Sequence, residues 1–280
     1  MRAIDFEGNF QQYVEKWVAE NEDNYESLEA MESAMPDLYE TWLETPADWL
    51  HGEKPSEYFA QLSDARAAVA LIREYYEKGM SVPDLLLDRL VDLRDEAALY
   101  EWFLEAYGAE RKLAVSLMTE LEAKRPVPDY IEMLLDGDED ELKIAAEALE
   151  SLGESVKEEL LAALPEAGAE ARVALTNLLA GMGQDERIYE WLIRMFEERE
   201  DLRHLYAAAL AKYGDPRALE VLQEALKKTE GYIVYTELKN AIEALGGEVE
   251  GTRNFDGDAD YEFLKGEEHG EGNHPGGREE

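Results

Sequence analysis

Leu142-Lys143-Ile144-Ala145-Ala146-Glu147-Ala148-Leu149-Glu150-Ser151-Leu152-Gly153 sets an alanine-rich apolar face behind a basic residue and closes on glycine. The pattern returns at a nearly fixed distance. A basic or polar residue stands at Lys112, Lys143, Arg172, Arg203 and Tyr235, with gaps of 31, 29, 31 and 32 residues. Gly153, Gly183, Gly214 and Gly246 keep the same time, at gaps of 30, 31 and 32. Two markers sharing a period of about 20–50 residues point to stacked supersecondary units. Each unit reads as one helix, a short acidic turn and a second helix carrying the marker. The second helices are predicted near Arg111–Ala123, Glu141–Leu152, Ala171–Met182, Leu202–Tyr213 and Ile233–Leu245.

Three zones follow. Residues 1–62 read as an acidic, aromatic-rich helical cap: the first 60 positions hold 15 acids against 3 bases and 10 aromatic residues. Phe10, Tyr13, Val14, Trp17 and Val18 follow the stripe of an amphipathic helix. The large rings are read as core, because a small cap needs them to cover its own ends. Residues 63–246 are helix after helix with short connections, the stretch of the repeats. Residues 247–280 hold eight glycines and 11 acids against 3 bases. That composition reads as a disordered acidic tail, whose removal from residue 251 onward is expected to leave thermal stability unchanged.

The repeats resemble the HEAT-like helical repeat family, including the variant named after phycobilisome lyase subunits (PBS-lyase type). In that family the second helix opens with an aliphatic and a basic residue, then an alanine-rich run ending in leucine-glycine. Leu142-Lys143 leads here to Leu152-Gly153, Ala171-Arg172 to Met182-Gly183, and Leu202-Arg203 to Tyr213-Gly214. Asp215-Pro216-Arg217-Ala218-Leu219 is similar to the family's opening of the following first helix. The resemblance covers roughly residues 94–246. It fades at Arg111-Lys112, which lacks the aliphatic residue, and at Val234-Tyr235, where tyrosine replaces the base. It implies an all-α fold, a right-handed α–α superhelix or solenoid behind an irregular helical N-terminal cap. Through the phycobilisome variant it also implies an alternative role, lyase-like or chaperone-like, on a bilin-bearing protein.

Charge narrows the partners. The 280 residues carry 66 acids and 27 bases, a formal net charge of −39. Nucleic-acid binding needs a basic footprint, and an anionic membrane surface repels the same charge. A basic protein or peptide is attracted at long range. There is no cysteine, so thiolate chemistry is excluded, and no stretch approaches the ~18 apolar residues of a membrane span. The expected location is cytoplasmic.

No phosphate loop, nucleophile elbow or paired-histidine metal motif stands in the sequence, and no cofactor is implied. Asp256, Asp258, Asp260 and Glu267 keep calcium-loop spacing, but Tyr261 stands where the loop needs glycine. The reading is therefore a non-enzymatic interaction scaffold that holds a protein or peptide in a concave groove. The candidate surface is the ladder and the positions about one turn beyond it: Lys143, Glu147, Glu150, Arg172, Thr176, Arg203, Tyr206, Tyr235 and Lys239, with Tyr206 and Tyr235 as anchors. The competing reading makes the ladder structural, tying Lys143 to Asp138 or Asp140 and Arg203 to Asp201 or nearby acids.

Overall fold

Side-chain oxygens mark where helices begin. In the computed structural model, which describes residues 1–251 and 253–270, Asp5, Ser27, Asp64, Asp95, Asp138 and Asp185 each accept from a backbone N–H in the first turn of the next helix. Such caps satisfy amides that have no partner inside the helix. All regular structure among the described residues is helical. The chain divides into two compact units at Pro126 and Val127.

The first unit starts with α1 (Phe6–Asn21), α2 (Leu28–Glu32) and α3 (Met35–Leu43), then single 3-10 turns to residue 61. Buried Phe6 organises this region: its ring lies 5.1 Å from Trp49, 5.1 Å from Phe59 and 6.2 Å, edge-on, from Trp42. Aromatic edges and faces attract through their quadrupoles, so the rings cover one another. Two helix pairs follow: α4 (Ala65–Glu77) with α5 (Asp84–Leu93), and α6 (Glu96–Glu105) with α7 (Gly108–Glu120). Also, α4 packs on α6 and α5 on α7, giving two layers. Tyr75 ties the N-terminal strap to α4 by accepting from the Ile4 N–H and donating to the Ile4 carbonyl. Burial pushes its phenol up to about 12.

The second unit repeats the arrangement. Its pairs are α8 (Val127–Asp136) with α9 (Glu139–Leu152), α10 (Lys157–Ala163) with α11 (Ala169–Ala180), α12 (Glu186–Glu198) with α13 (Arg203–Tyr213), and α14 (Leu219–Lys228) with α15 (Tyr232–Ala244). The second helices pack in chain order, α9 on α11, α11 on α13 and α13 on α15. Gly183 and Gly214 follow two of them at φ of 73° and 80°, the left-handed region where any Cβ is disfavoured.

Two kinds of arginine join the pairs. One closes helix ends: Arg111 Nε donates to the Ala106 carbonyl at 2.8 Å, Arg172 Nη2 to Ala167 at 2.6 Å and Arg203 Nε to Phe196 at 3.5 Å. The Phe196 carbonyl lies in the last turn of α12, that of Ala106 one residue beyond α6, and that of Ala167 in the connection between α10 and α11. The other kind stands two residues after an N-cap aspartate and reaches a neighbouring pair. Arg187 bonds Asp185 and, at 2.8 and 2.6 Å, both oxygens of Glu158. Arg217 repeats this with Asp215 and Glu186, and Arg66, beside Asp64, forms a similar fork with Glu101.

The expectation of an unattached tail is corrected over residues 253–265. Arg253 donates to the carbonyls of Thr229 and Leu226 and lies 4.7 Å from the centre of the Tyr235 ring. Phe255 is buried against Tyr232 and Tyr235, and Tyr261 joins them. Asp258 accepts from the Tyr232 N–H at 3.1 Å and from the N–H groups of Asp260 and Tyr261, which open α16 (Ala259–Gly270). Its carboxyl therefore caps two helices, a role that differs from a calcium-loop ligand. Average composition hid this docking because one aromatic and one arginine suffice for it. Phe263 and Leu264 stay exposed, and the remainder of the expected tail, 271–280, lies outside the described residues.

Two outcomes are expected. Phe255→Ala should destabilise the second unit by about 2 kcal/mol, seen as a melting midpoint lower by roughly 4–8 °C; an unchanged midpoint would return the segment to a free tail. The second outcome concerns acid. Hydrogen bonds from Arg187 hold the Asp185 carboxyl at about 2, against about 3.9 in an unfolded chain. A depressed folded-state pKa stabilises above the unfolded value and is lost as pH falls through the folded one. Asp185→Asn keeps a capping oxygen but loses the charge. Its stability deficit, measured by urea unfolding, should be full near neutrality and close as pH falls from about 4 towards about 2.

Candidate functional site

An apolar groove of about 800 Å³ lies in the second unit. One wall is α11, with Ala169, Val173, Ala174 and Asn177; the other is the start of α13 and the turn before it, with Leu202, Leu205, Ala208 and Ala209. Leu142 of α9 closes one side. Apolar residues run round nearly the whole circumference of α11 and α13. Each helix can therefore bury one face in the layer beneath and still offer an apolar face outward. Ala207 and Leu210 take the inner face of α13, fully buried, whereas Leu205 is 38% exposed. Alanines on both walls keep the floor shallow.

Polar groups on the lining are few. Arg199 Nε and Nη2 bond the two Asp201 carboxylate oxygens at 3.0 and 2.7 Å, and Glu170 stands exposed on the α11 side. Under the floor, Thr176 Oγ1 donates to the Arg172 carbonyl at 2.7 Å and accepts from Trp191 Nε1 at 3.1 Å. The Tyr206 phenol is buried, which pushes its pKa up, while the Arg199 and Arg172 guanidiniums pull the other way.

The sequence-derived surface is only partly gathered here. Thr176 and Tyr206 line the groove, but at 2% and 1% exposure they form its floor, so Tyr206 is corrected from a projecting anchor to a packing residue. Tyr235 is corrected likewise: it is buried under Phe255 and Arg253, and with Arg253 it lines a separate recess of about 460 Å³. Arg172 and Arg203 are held at helix ends by the bonds given above. Arg203 pairs with Glu200 at 3.1 Å, and Asp201 belongs to Arg199. Lys143 and Glu147 are exposed and outside the groove; Asp138 is occupied in capping α9. Glu150 pairs with Lys212 at 3.1 Å and Lys239 with Glu243 at 3.8 Å.

Spacing assigned none of Val173, Leu202, Leu205 and Ala208 to the candidate surface. Their signal was present as excess: α13 carries more apolar residues than one buried face can take. Among the described residues no group of three or more histidines and carboxylates is placed to hold a metal ion, and no helix is long and apolar enough to cross a membrane. No family model matches the chain, and no curated protein is similar to it in sequence.

Proposed function

We propose that this chain is a non-enzymatic interaction module whose helix pairs stack as a HEAT-like right-handed α–α superhelix, and whose α11–α13 groove holds a segment of a protein partner. The observation that carries this reading is the groove's outward apolar wall, Val173, Leu202, Leu205 and Ala208, on helices whose opposite faces are already buried. Contiguous exposed apolar surface costs free energy in water and is relieved when a partner covers it. The engaged state of the nearby charges supports binding over chemistry, since Arg199 and Asp201 neutralise each other at the rim. A cytoplasmic location fits the same reading.

The test compares the wild-type chain with Leu205→Gln/Ala208→Gln, immobilised and exposed to native lysate at low and high salt. A partner that the wild type retains should be lost from the double variant, whose helicity by circular dichroism stays unchanged. Equal retention by both would place the site elsewhere. Added bilin should give no spectral shift on this reading; a shift would favour instead the tetrapyrrole-related role implied by the family resemblance.

A further inference from the structure

We infer that the occupant of the α11–α13 groove is a cationic amphipathic helix. This rests on the proposed function and adds the partner's conformation and charge.

The conformation follows from hydrogen-bond accounting. An extended peptide brings an unpaired N–H and C=O at every residue, and burying them without partners is costly. The groove walls are mostly helical, so most of their backbone groups are consumed internally. Of the polar side chains on its lining, Arg199 and Asp201 bond each other and Thr176 is satisfied beneath the floor, which leaves Glu170, Asn177 and the Tyr206 hydroxyl, too few for an extended backbone. A helix arrives with its own backbone bonds made and presents only side chains. The length agrees: Ala169 to Asn177 spans about 12 Å at 1.5 Å per residue, room for apolar anchors at i, i+3 or i+4, and i+7. Alanines at 169, 174, 208 and 209 line the groove, and small residues let helix axes approach to the lower end of the usual 8–10 Å.

The charge follows from the stretch of chain that builds the groove. Residues 139–213, which hold every lining residue, carry 17 acids against 8 bases. Several of those bases are already committed: Arg172 to the Ala167 carbonyl, Arg187 to Glu158 and Asp185, Arg199 to Asp201, Arg203 to Glu200 and Lys212 to Glu150. The stretch of chain that builds the groove is thus net acidic, and among the described residues the unpaired charge on the groove lining is Glu170. Lysine and arginine flanking the partner's apolar face meet that field favourably, and an acidic helix is repelled by it.

Three labelled peptides of about 18 residues, five helical turns, test this against the full chain by fluorescence anisotropy: an amphipathic Leu/Lys helix, its Leu/Glu counterpart, and a scrambled Leu/Lys peptide without the apolar face. The Leu/Lys helix should bind, gain helicity by circular dichroism and weaken as salt rises. Leu205→Gln/Ala208→Gln should cost it about tenfold or more in affinity, equal to about 1.4 kcal/mol. Leu104→Gln/Tyr107→Gln, at exposed apolar positions of the first unit, should leave it unchanged. If the Leu/Glu helix binds as well and shows the same loss in the groove variant, the charge assignment falls while the groove reading stands. If the scrambled peptide binds equally, or no helicity is gained, the helical assignment falls. Leu/Lys binding that ignores the groove variant would be surface attraction alone and would overturn the groove reading too. Absence of Leu/Lys binding overturns the inference.

Discussion

A carbonyl at the end of an α-helix has no partner within the helix, and in a chain with such short connections water cannot always supply one. Arginine meets this constraint repeatedly. Arg111, Arg172 and Arg203 each stand at or near the start of a second helix and donate to a carbonyl in the last turn of the preceding helix or in the connection after it. The bond fixes the turn between the two helices of a pair, and with it the depth at which the second helix sits. Where the ladder position becomes Tyr235, the guanidinium comes from Arg253 instead, laid across that tyrosine. Both solutions satisfy the same requirement, one from within the pair and one from the chain that follows it.

With the turns fixed, the second helices lie against one another, and their small residues decide what faces outward. Alanine-rich faces let α11 and α13 pack closely, and the larger Leu202 and Leu205 then stand above the layer as a wall. The groove is thus a by-product of close packing with too many apolar residues for one interface. On its floor Thr176, bonded to Trp191 and the Arg172 carbonyl, satisfies one buried hydroxyl and one indole, while the buried Tyr206 hydroxyl has no hydrogen-bond partner among the described residues.

Glycine spacing located the helix ends well: Gly153, Gly183, Gly214 and Gly246 follow α9, α11, α13 and α15, all at positive φ. Spacing put Thr176 and Tyr206 about one helical turn beyond the ladder, and both lie on the floor of the α11–α13 groove. It could not say that both would be covered, since the depth of a side chain depends on its neighbours across the layer. Arg111 displaces Lys112 from the ladder for a similar reason: a flexible side chain reaches the same carbonyl from an adjacent position. Leu205 and Ala208 were hidden in a run that looks like core. One-dimensional pattern shows how many apolar faces a helix has, but not which is left without a neighbour. Phe255 was hidden by averaging, as a single buried ring in an acidic, glycine-rich stretch.

The Arg187–Glu158 and Arg217–Glu186 forks have interchangeable parts. Glu158 and Glu186 offer the same two oxygens, and Arg187 and Arg217 present the same fork from the same place, two residues after an N-cap aspartate. Excising the 30 residues from Asp185 to Gly214 would leave Asp215 and Arg217 in the places of Asp185 and Arg187, with Glu158 as the natural acceptor. A chain joined this way can lose or gain a helix pair without redesigning its joints. Such chains can change length by unequal duplication while both ends keep their own closures.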